Sequence, residues 1–518
     1  MNRHDVDVLI IGSGFSGSLL AMILRKLGRT VALIERGRHP RFAIGESSTP
    51  LASLLVEEIS RQYHLPVLMP FTKHGVWTRE RPEVGCGLKR GFSFFSHQRG
   101  QPFAADPMRG NQLLVAASPN DEVGDVHWYR ADFDHFLVAE AVRSGAEYRD
   151  HAEITNIALA EGNSVADGRD EEGAFQVRAR LVIDATGPRG FLHRSLSIGT
   201  RQLPGVPATE GLYSHFTGVR RFADVAPGAF RGGPPYAPDV AATQHILDGG
   251  WIWVLPFDNG ITSVGLAATA PLAAELRLSD GAAAWGRLLA LYPSLHDQFA
   301  GAAPTREFTW APQLAFASEQ AAGAGWAMLP SAAGIVDPLL STGFPLTLLG
   351  VQRVAAAVSD HWGSPTALSA ALSSHAVRTG AELDVTARLV GALYGAFSDW
   401  PRFTALSHLY FTAATYTESA RRLGKPGLAG DGFMMSGHPT FGPAYNRCLS
   451  LAASGASTDA VIAAVRDATE PVNVAGLLDD SRHNWYPCNA ASMLAGAAKL
   501  DSAREEVAAM LQRCGFRP

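Results

Sequence analysis

Cysteine is scarce in this chain. Its 518 residues contain four, Cys86, Cys448, Cys488 and Cys514, with no CxxC pair among them. That spacing argues against a zinc site and against a disulfide framework, and it makes a reducing cytoplasm the default compartment. No run of five like charges occurs and the formal net charge is only −5, so nothing invites a nucleic acid or an anionic membrane. A basic N-terminal region followed by a long apolar segment is also missing. The apolar run over residues 6–11 breaks at a glycine within one strand length, so neither an export signal nor a membrane span is expected. Internal repeats and low-complexity tracts are absent. What remains is 47% apolar and 18% charged, enough for a large core in two or more joined subdomains. Small neutral or weakly charged ligands suit that balance.

The first forty residues carry the clearest organisation. Residues 5–11 read as a buried strand, Gly12-Ser-Gly14-Phe-Ser-Gly17 turns the chain into a helical pattern over 18–27, and 30–34 reads as a second strand, one βαβ unit. Glycines so placed let the chain turn tightly and bring backbone N–H groups against a pyrophosphate at the helix N-terminus. Alone they are a weak signal. Glu35, however, closes the second strand 18 residues after Gly17, where a carboxylate can accept from both ribose hydroxyls. Together these features predict a dinucleotide site. Further on, an amphipathic helix is expected over 132–144 and strands over 174–183 and 251–266. From about residue 351 the pattern is mostly helical, at 351–362, 377–397 and 502–512, interrupted by the Gly/Pro-rich stretch 424–443. Asp167-Gly168, in a polar segment, reads as a hairpin turn.

FAD is preferred over NAD because of three later segments. Leu181-Val-Ile-Asp184-Ala-Thr-Gly187 resembles the second flavin-contacting strand of glutathione-reductase-type flavoproteins. Arg130 matches the arginine those proteins place near the flavin, and Gly334-Ile-Val-Asp337-Pro338 resembles the segment running along the isoalloxazine. The resemblance implies an α/β fold: a glutathione-reductase-type FAD-binding Rossmann domain interleaved with a mixed β-sheet substrate domain, plus a helical C-terminal region. The expected division is 1–350 for the interleaved pair, with substrate segments near 65–125 and 200–320, and 351–518 for the cap.

Three further motifs, Ile44-Gly-Glu46-Ser47-Ser-Thr-Pro50, Gly250-Trp251-Ile-Trp253-Val-Leu-Pro256 and Asp337-Pro-Leu-Leu-Ser341-Thr342-Gly343, together resemble the flavin-dependent halogenases. The WxWxxP match is the most specific. The segments Cys86-Gly-Leu-Lys89-Arg-Gly-Phe92 and 329–338 look closest to the phenolic, phloroglucinol-halogenating branch, and the similarity runs from residue 5 to roughly 420. The resemblance implies that reduced FAD and oxygen give a C4a-hydroperoxide, that chloride or bromide attacks it, and that the hypohalous acid formed travels to a lysine beside the substrate. It assigns that role to Lys89, with Lys73 in Phe71-Thr-Lys73-His-Gly75 as the rival. If 88–95 is one strand, Lys89, Gly91, Ser93 and Phe95 share one face and Arg90, Phe92 and Phe94 the other, so only one of the two cations can enter a cavity. Trp251 and Trp253 share a face and could wall flavin from substrate, a placement indistinguishable from core packing. Ser341, Thr342 and Gly343 can present backbone N–H groups to a halide. Glu46 and Ser47 are assigned to the flavin side with Gly12, Gly14, Gly17, Glu35, Arg130, Asp184, Gly187 and Asp337.

Two departures narrow the reading. Tryptophan halogenases carry a glutamate before the Ser-Thr-Gly tripeptide, where this chain has Leu340; a phenol or resorcinol ring supplies its own electron density and tolerates the loss. Pro330-Ser331 stands where most relatives have Gly-Asp, which would weaken FAD binding. No second nucleotide motif follows the first, so a separate NAD(P)H-dependent flavin reductase is expected to deliver FADH2 by diffusion. A homodimer stays open. The alternatives are an FAD-dependent aromatic monooxygenase, which would read Gly-Ala-Asp-Gly near residues 184–187, a reductase of the geranylgeranyl type, and a degenerate flavoprotein acting as a binding partner. His97, His215 and His408 are candidate bases against the ordinary reading of packed or surface histidines.

Overall fold

The computed structural model describes residues 2–516 and is α/β, with two large sheets, helices laid over them and a helical C-terminal region. β1 (Asn2–Ile11) runs parallel between β2 (Val31–Ile34) and the long strand Gly173–Asp184. Its register sets Ile11 beside both Ile34 and Asp184. The three strands therefore end level, and the turns leaving them at Gly12, Glu35 and Ala185 meet at the carboxyl end of the sheet, where open α/β folds bind ligands.

α1 (Phe15–Lys26) starts three residues before the helix read from the sequence, because Gly14 in extended conformation already serves as its N-cap. Residues Phe15 through Leu24 are all buried. The helices Arg130–Arg143 and Gly343–His361 cover the faces that the sheet leaves free. A helix apolar all round must be enclosed all round, and each fully buried Leu, Ile or Met contributes about 1.5–3 kcal/mol.

β3 (Cys86–Lys89), β4 (Gly91–Ser96), β5 (Gln112–Ala116) and β6 (Asp125–Trp128) correct the single strand expected over 88–95. Arg90 breaks it. β3 pairs with β6 in a two-stranded ribbon, while β4 joins β5 and Ala242–Leu247 in a nine-stranded sheet. The segment expected as strand over 251–266 is a hairpin of Gly250–Pro256 and Thr262–Thr269 in that same sheet. Asp167-Gly168 is not a turn. It lies inside the strand Ser164–Asp170, opposite Gln176 and Phe175, and the Phe175 ring comes within 2.3 Å of where a Gly168 Cβ would stand.

Helices Gly343–His361, Pro365–Tyr394 and Arg504–Arg513 contain most of the three helical stretches read from the sequence. The helix Trp400–Arg422 was not anticipated. The stretch 424–443 holds two short 3-10 turns and the start of the helix Phe441–Ala453. No described helix is long and apolar enough to cross a membrane.

Candidate active site

The glycine turn is built by close approach. Gly12, at φ 99°, lies so near the Ala185 backbone that a Cβ would fall 2.6 Å from it, and a Cβ on Gly17 would fall 2.0 Å from the Gly12 carbonyl oxygen. Gly14 is different. A Cβ there would meet nothing nearer than the Arg130 and Asp134 side chains at 3.7 Å, so its smallness serves something other than the fold. α1 carries no acidic residue in its first turn and no side-chain cap, which leaves its N-terminal N–H groups and dipole to an anion. Glu35 is buried beside this turn and accepts from the Ser13 amide at 3.1 Å, the Ser13 hydroxyl at 3.0 Å, the Gly37 amide at 2.9 Å and Arg41 at 3.1 Å. Burial pushes its pKa up, but the Arg41 charge and the donors outweigh it and hold the carboxyl below its ordinary value.

Arg130 opens its helix and ties the turn to the Glu46 loop. Its guanidinium grips both Asp134 oxygens at 2.7 Å, donates to the Gly45 carbonyl at 2.9 Å and lies 4.9 Å from the Phe15 ring centroid. Glu46 is buried, with one oxygen accepting from His215 Nε2 at 2.8 Å and the other without a partner, an acceptor whose chemistry suits an N–H or hydroxyl of a bound flavin. The open Gly14, the uncapped helix end and this orphaned oxygen fit a flavin dinucleotide. Asp184 and Asp337 are both engaged by groups of the protein itself. Asp184 accepts from the Thr186 amide and hydroxyl and from the Leu192 amide at 2.6 Å, so it fixes the turn that carries Gly187.

Asp337 joins the paired tryptophans to the tripeptide. One oxygen accepts from Trp251 Nε1 at 3.2 Å and the Leu339 amide at 2.9 Å, the other from the Tyr394 hydroxyl at 2.9 Å. Burial raises its pKa to about 6. Tyr394 was missed by sequence reasoning, since it comes from a helix 57 residues away. Trp251 and Trp253 are both buried, with centroids 5.7 Å apart, and Trp253 donates to the Ser263 hydroxyl. Leu340 and Ser341 take φ values of 65° and 55° before Thr342 returns to the right-handed region and Gly343 begins a 19-residue helix. Two successive left-handed residues that are not glycine cost about 1–3 kcal/mol each. They turn the chain so that the amides of Thr342 and Gly343 stand at the mouth of a helix end with no acidic residue in its first turn.

Lys89 is fully buried. Its Nζ donates to the Ser47 hydroxyl at 2.9 Å and the Ser48 carbonyl at 2.5 Å, and lies 4.0 Å from the Phe92 ring centroid. The break at Arg90 puts Lys89 against Phe92, not opposite it. Arg90 turns away to Asp121 and the Ser118 carbonyl. Across the ribbon Lys89 faces Asp125; burial lowers the pKa of the amine against the pull of Asp125, and raises that of Asp125. The other face of this region is a cavity of about 110 Å³ lined by Phe92, Asp125, Tyr410, Phe411, Cys488 and Leu511 among others. A cavity of about 150 Å³ takes up benzene, so a single small ring is the right order of occupant. Lys73 and Glu418 line it, and Lys89 does not. None of the three candidate histidines lines it either. His97 is paired with His245 at 2.9 Å, His215 with Glu46, and His408 is buried with both nitrogens unpaired against Tyr486.

A glycine turn between parallel strands, an acid at the end of β2 and an uncapped helix end make a dinucleotide-binding fold, and the pattern of the FAD dependent oxidoreductase family matches residues 7–314, which makes the chain an FAD-dependent oxidoreductase. The chain is 30% identical over 424 residues to monodechloroaminopyrrolnitrin halogenase PrnC of Pseudomonas fluorescens, covering 79% of this chain and 72% of that protein. It is 30% identical over 350 residues to tetracycline 7-halogenase of Kitasatospora aureofaciens, covering 66% of this chain and 61% of that protein. In fold it matches halogenase PltM in complex with phloroglucinol and FAD, with a TM-score of 0.81 at 24% identity over 92% of this chain and 99% of that one. The chain belongs to the flavin-dependent halogenases and binds FAD.

Proposed function

We propose that this halogenase transfers chloride or bromide to a small electron-rich phenolic ring, with Lys89 as the amine that holds hypohalous acid for transfer. Reduced FAD, delivered by a separate NAD(P)H-dependent reductase, supplies with oxygen the oxidising equivalents that convert halide to hypohalous acid. The amides of Thr342 and Gly343, set by the Leu340–Ser341 turn, hold the halide; the Ser341 amide, expected to join them, instead donates to the Pro338 carbonyl at 3.1 Å. Trp251, fixed by Asp337 and Tyr394, and its neighbour Trp253 separate the flavin side from the organic substrate. Residues 1–350 carry both of these sides, and 351–518 close the cavity over the ring.

The observation that carries the reading is the position of Lys89 between Ser47 and Ser48 of the flavin-side loop and Phe92, which also lines the ring-sized cavity. A buried amine with a lowered pKa supplies the neutral form that binds HOX or becomes a haloamine with loss of water. Leu340 offers no carboxylate to assist a poor nucleophile, which favours a hydroxylated ring. The test is a competition: protein, FAD, flavin reductase, NADH and bromide with equimolar phloroglucinol, resorcinol and tryptophan, followed by mass. Bromine isotope pairs on the phenols are expected. A +16 product would instead mean a monooxygenase, and preferential bromination of tryptophan would overturn the substrate class. Lys73 is the second reading, favoured by its place in the cavity wall.

A further inference from the structure

Outside the cavity lining, three side chains from three separate elements converge on one point. His74 opens the short helix His74–Glu80, Cys86 opens β3, and Asp258 follows the strand Gly250–Pro256. His74 Nε2 lies 2.9 Å from Asp258 Oδ2, Cys86 Sγ lies 3.6 Å from the same oxygen, and all three donor atoms fall within 4.8 Å of one another. We propose that His74, Cys86 and Asp258 form a binding site for a zinc-like divalent cation.

The donor spacing supports it. Zinc bond lengths of about 2.3 Å to sulfur and about 2.0–2.2 Å to nitrogen and oxygen put tetrahedral donors roughly 3.4 Å apart for N and O, and roughly 3.6 Å apart for S and O. The S to O separation already matches, and the N to O separation has to open by roughly half an ångström. An imidazole, a thiolate and a carboxylate make a borderline donor set, one that suits zinc or cobalt and not magnesium or calcium. Three protein ligands leave a fourth position, and the Asp258 side chain, 49% exposed, places it at the solvent edge.

The ligands are held before any ion arrives. The Asp258 amide donates to the Cys86 carbonyl at 2.8 Å and the His74 amide to the Gly124 carbonyl at 2.9 Å. Gly87 permits the approach: a Cβ there would fall 2.1 Å from the Pro256 carbonyl oxygen, so only glycine lets β3 cross the end of that strand closely enough for Cys86 to reach Asp258. Spacing along the chain conceals the site, because its members lie 12, 172 and 184 residues apart with no paired motif. The ion fixes the two lysine-bearing segments relative to each other, since Lys73 adjoins His74 and Lys89 ends the strand that Cys86 begins.

The test uses the full chain loaded with FAD. After growth with zinc and exhaustive dialysis, elemental analysis is expected to find about one zinc per chain, falling to background in Cys86→Ser and in the surface variant Asp258→Asn, each checked for native circular dichroism and FAD content. Cobalt added to chelator-stripped protein should raise a near-ultraviolet thiolate-to-cobalt charge-transfer band that Cys86→Ser lacks. The proposal is overturned if wild-type protein retains no more metal than Asp258→Asn, or if cobalt binds without the thiolate band. Should Cys86→Ser fail to fold, the Asp258→Asn comparison and the wild-type cobalt spectrum still decide.

Discussion

At Lys89 two demands meet: burial makes the charged amine costly, and the Ser47 hydroxyl, the Ser48 carbonyl and Asp125 keep it in place. Methionine has similar length and no amine, so Lys89→Met should fill the site and lower halogenation by at least about a hundredfold, while FAD binding and NADH-driven peroxide release persist. Lys73→Ala should keep most activity; reversed outcomes would make Lys73 the transferring amine, and loss of FAD in Lys89→Met would make Lys89 structural. Gly14 allows a cleaner separation of fold from cofactor. Its Cβ position is open in the protein, so Gly14→Leu should leave the apoprotein's melting temperature nearly unchanged yet weaken FAD binding by about a hundredfold or more, because the side chain takes the space of the pyrophosphate. Equilibrium dialysis measures it, and unchanged affinity would count against the nucleotide site. Asp337 gives a pH dependence. Its folded pKa of about 6 stands above its ordinary 3.8, so the native state holds the proton more tightly, and the stabilisation is full below about pH 4 and lost as pH rises through about 6. The difference is about 3 kcal/mol. Asp125 titrates in the same window, so urea unfolding from pH 4 to 7 should show a smaller loss in Asp337→Asn than in the wild type; parallel profiles would refute the assignment.

Among the elements, the turn from Leu340 to Gly343 stores strain at the proposed halide site. Leu340 is fully buried, so replacing it with glycine would relieve its φ but open a cavity costing about 2–5 kcal/mol. Ser341 is only half-buried. Ser341→Gly should therefore stabilise the protein by about 1 kcal/mol and leave the KM for bromide unchanged, because the halide is held by amides and not by the hydroxyl. A large rise in that KM would show the side chain to be a ligand. Elements also divide into those that announce themselves in sequence and those that do not. The βαβ unit was legible because its glycines, acid and apolar strands lie within thirty-five consecutive residues. Helix Trp400–Arg422 was not, because it is enclosed on nearly all sides and buries Ser407, His408 and Thr412 where an amphipathic pattern would need apolar residues. Its N-terminal signal was there, however: Asp399 caps it and Pro401 follows. The contacts of Lys89 with Ser47 and of Trp251 with Asp337 span 42 and 86 residues, and only the folded chain brings them together.

Taken as a whole, the chain makes its ring-sized cavity from residues as far apart in sequence as Phe92 and Leu511. It is lined by Phe92 of β4, Val115 and Ala116 of β5, Tyr410, Phe411 and Ala414 of the helix Trp400–Arg422, and Leu511 of the last helix. The strand Trp485–Tyr486 pairs with β5 and fastens the C-terminal region to the sheet, so cavity and cap form together. The glycine turn and Glu35, where the proposed FAD site lies, belong to the other sheet and share none of these lining residues. A change in the cap should therefore act on the organic substrate alone. Ala414 is partly buried on the cavity side, and interiors packed at crystal density yield little to added volume. Ala414→Trp should raise the KM for phloroglucinol by about tenfold or more, with FAD affinity unchanged and more NADH spent on peroxide, since oxidant made at the flavin end then finds no ring to accept it. Unaltered phenol turnover in a folded Ala414→Trp would place the substrate elsewhere and detach the cavity from the reaction.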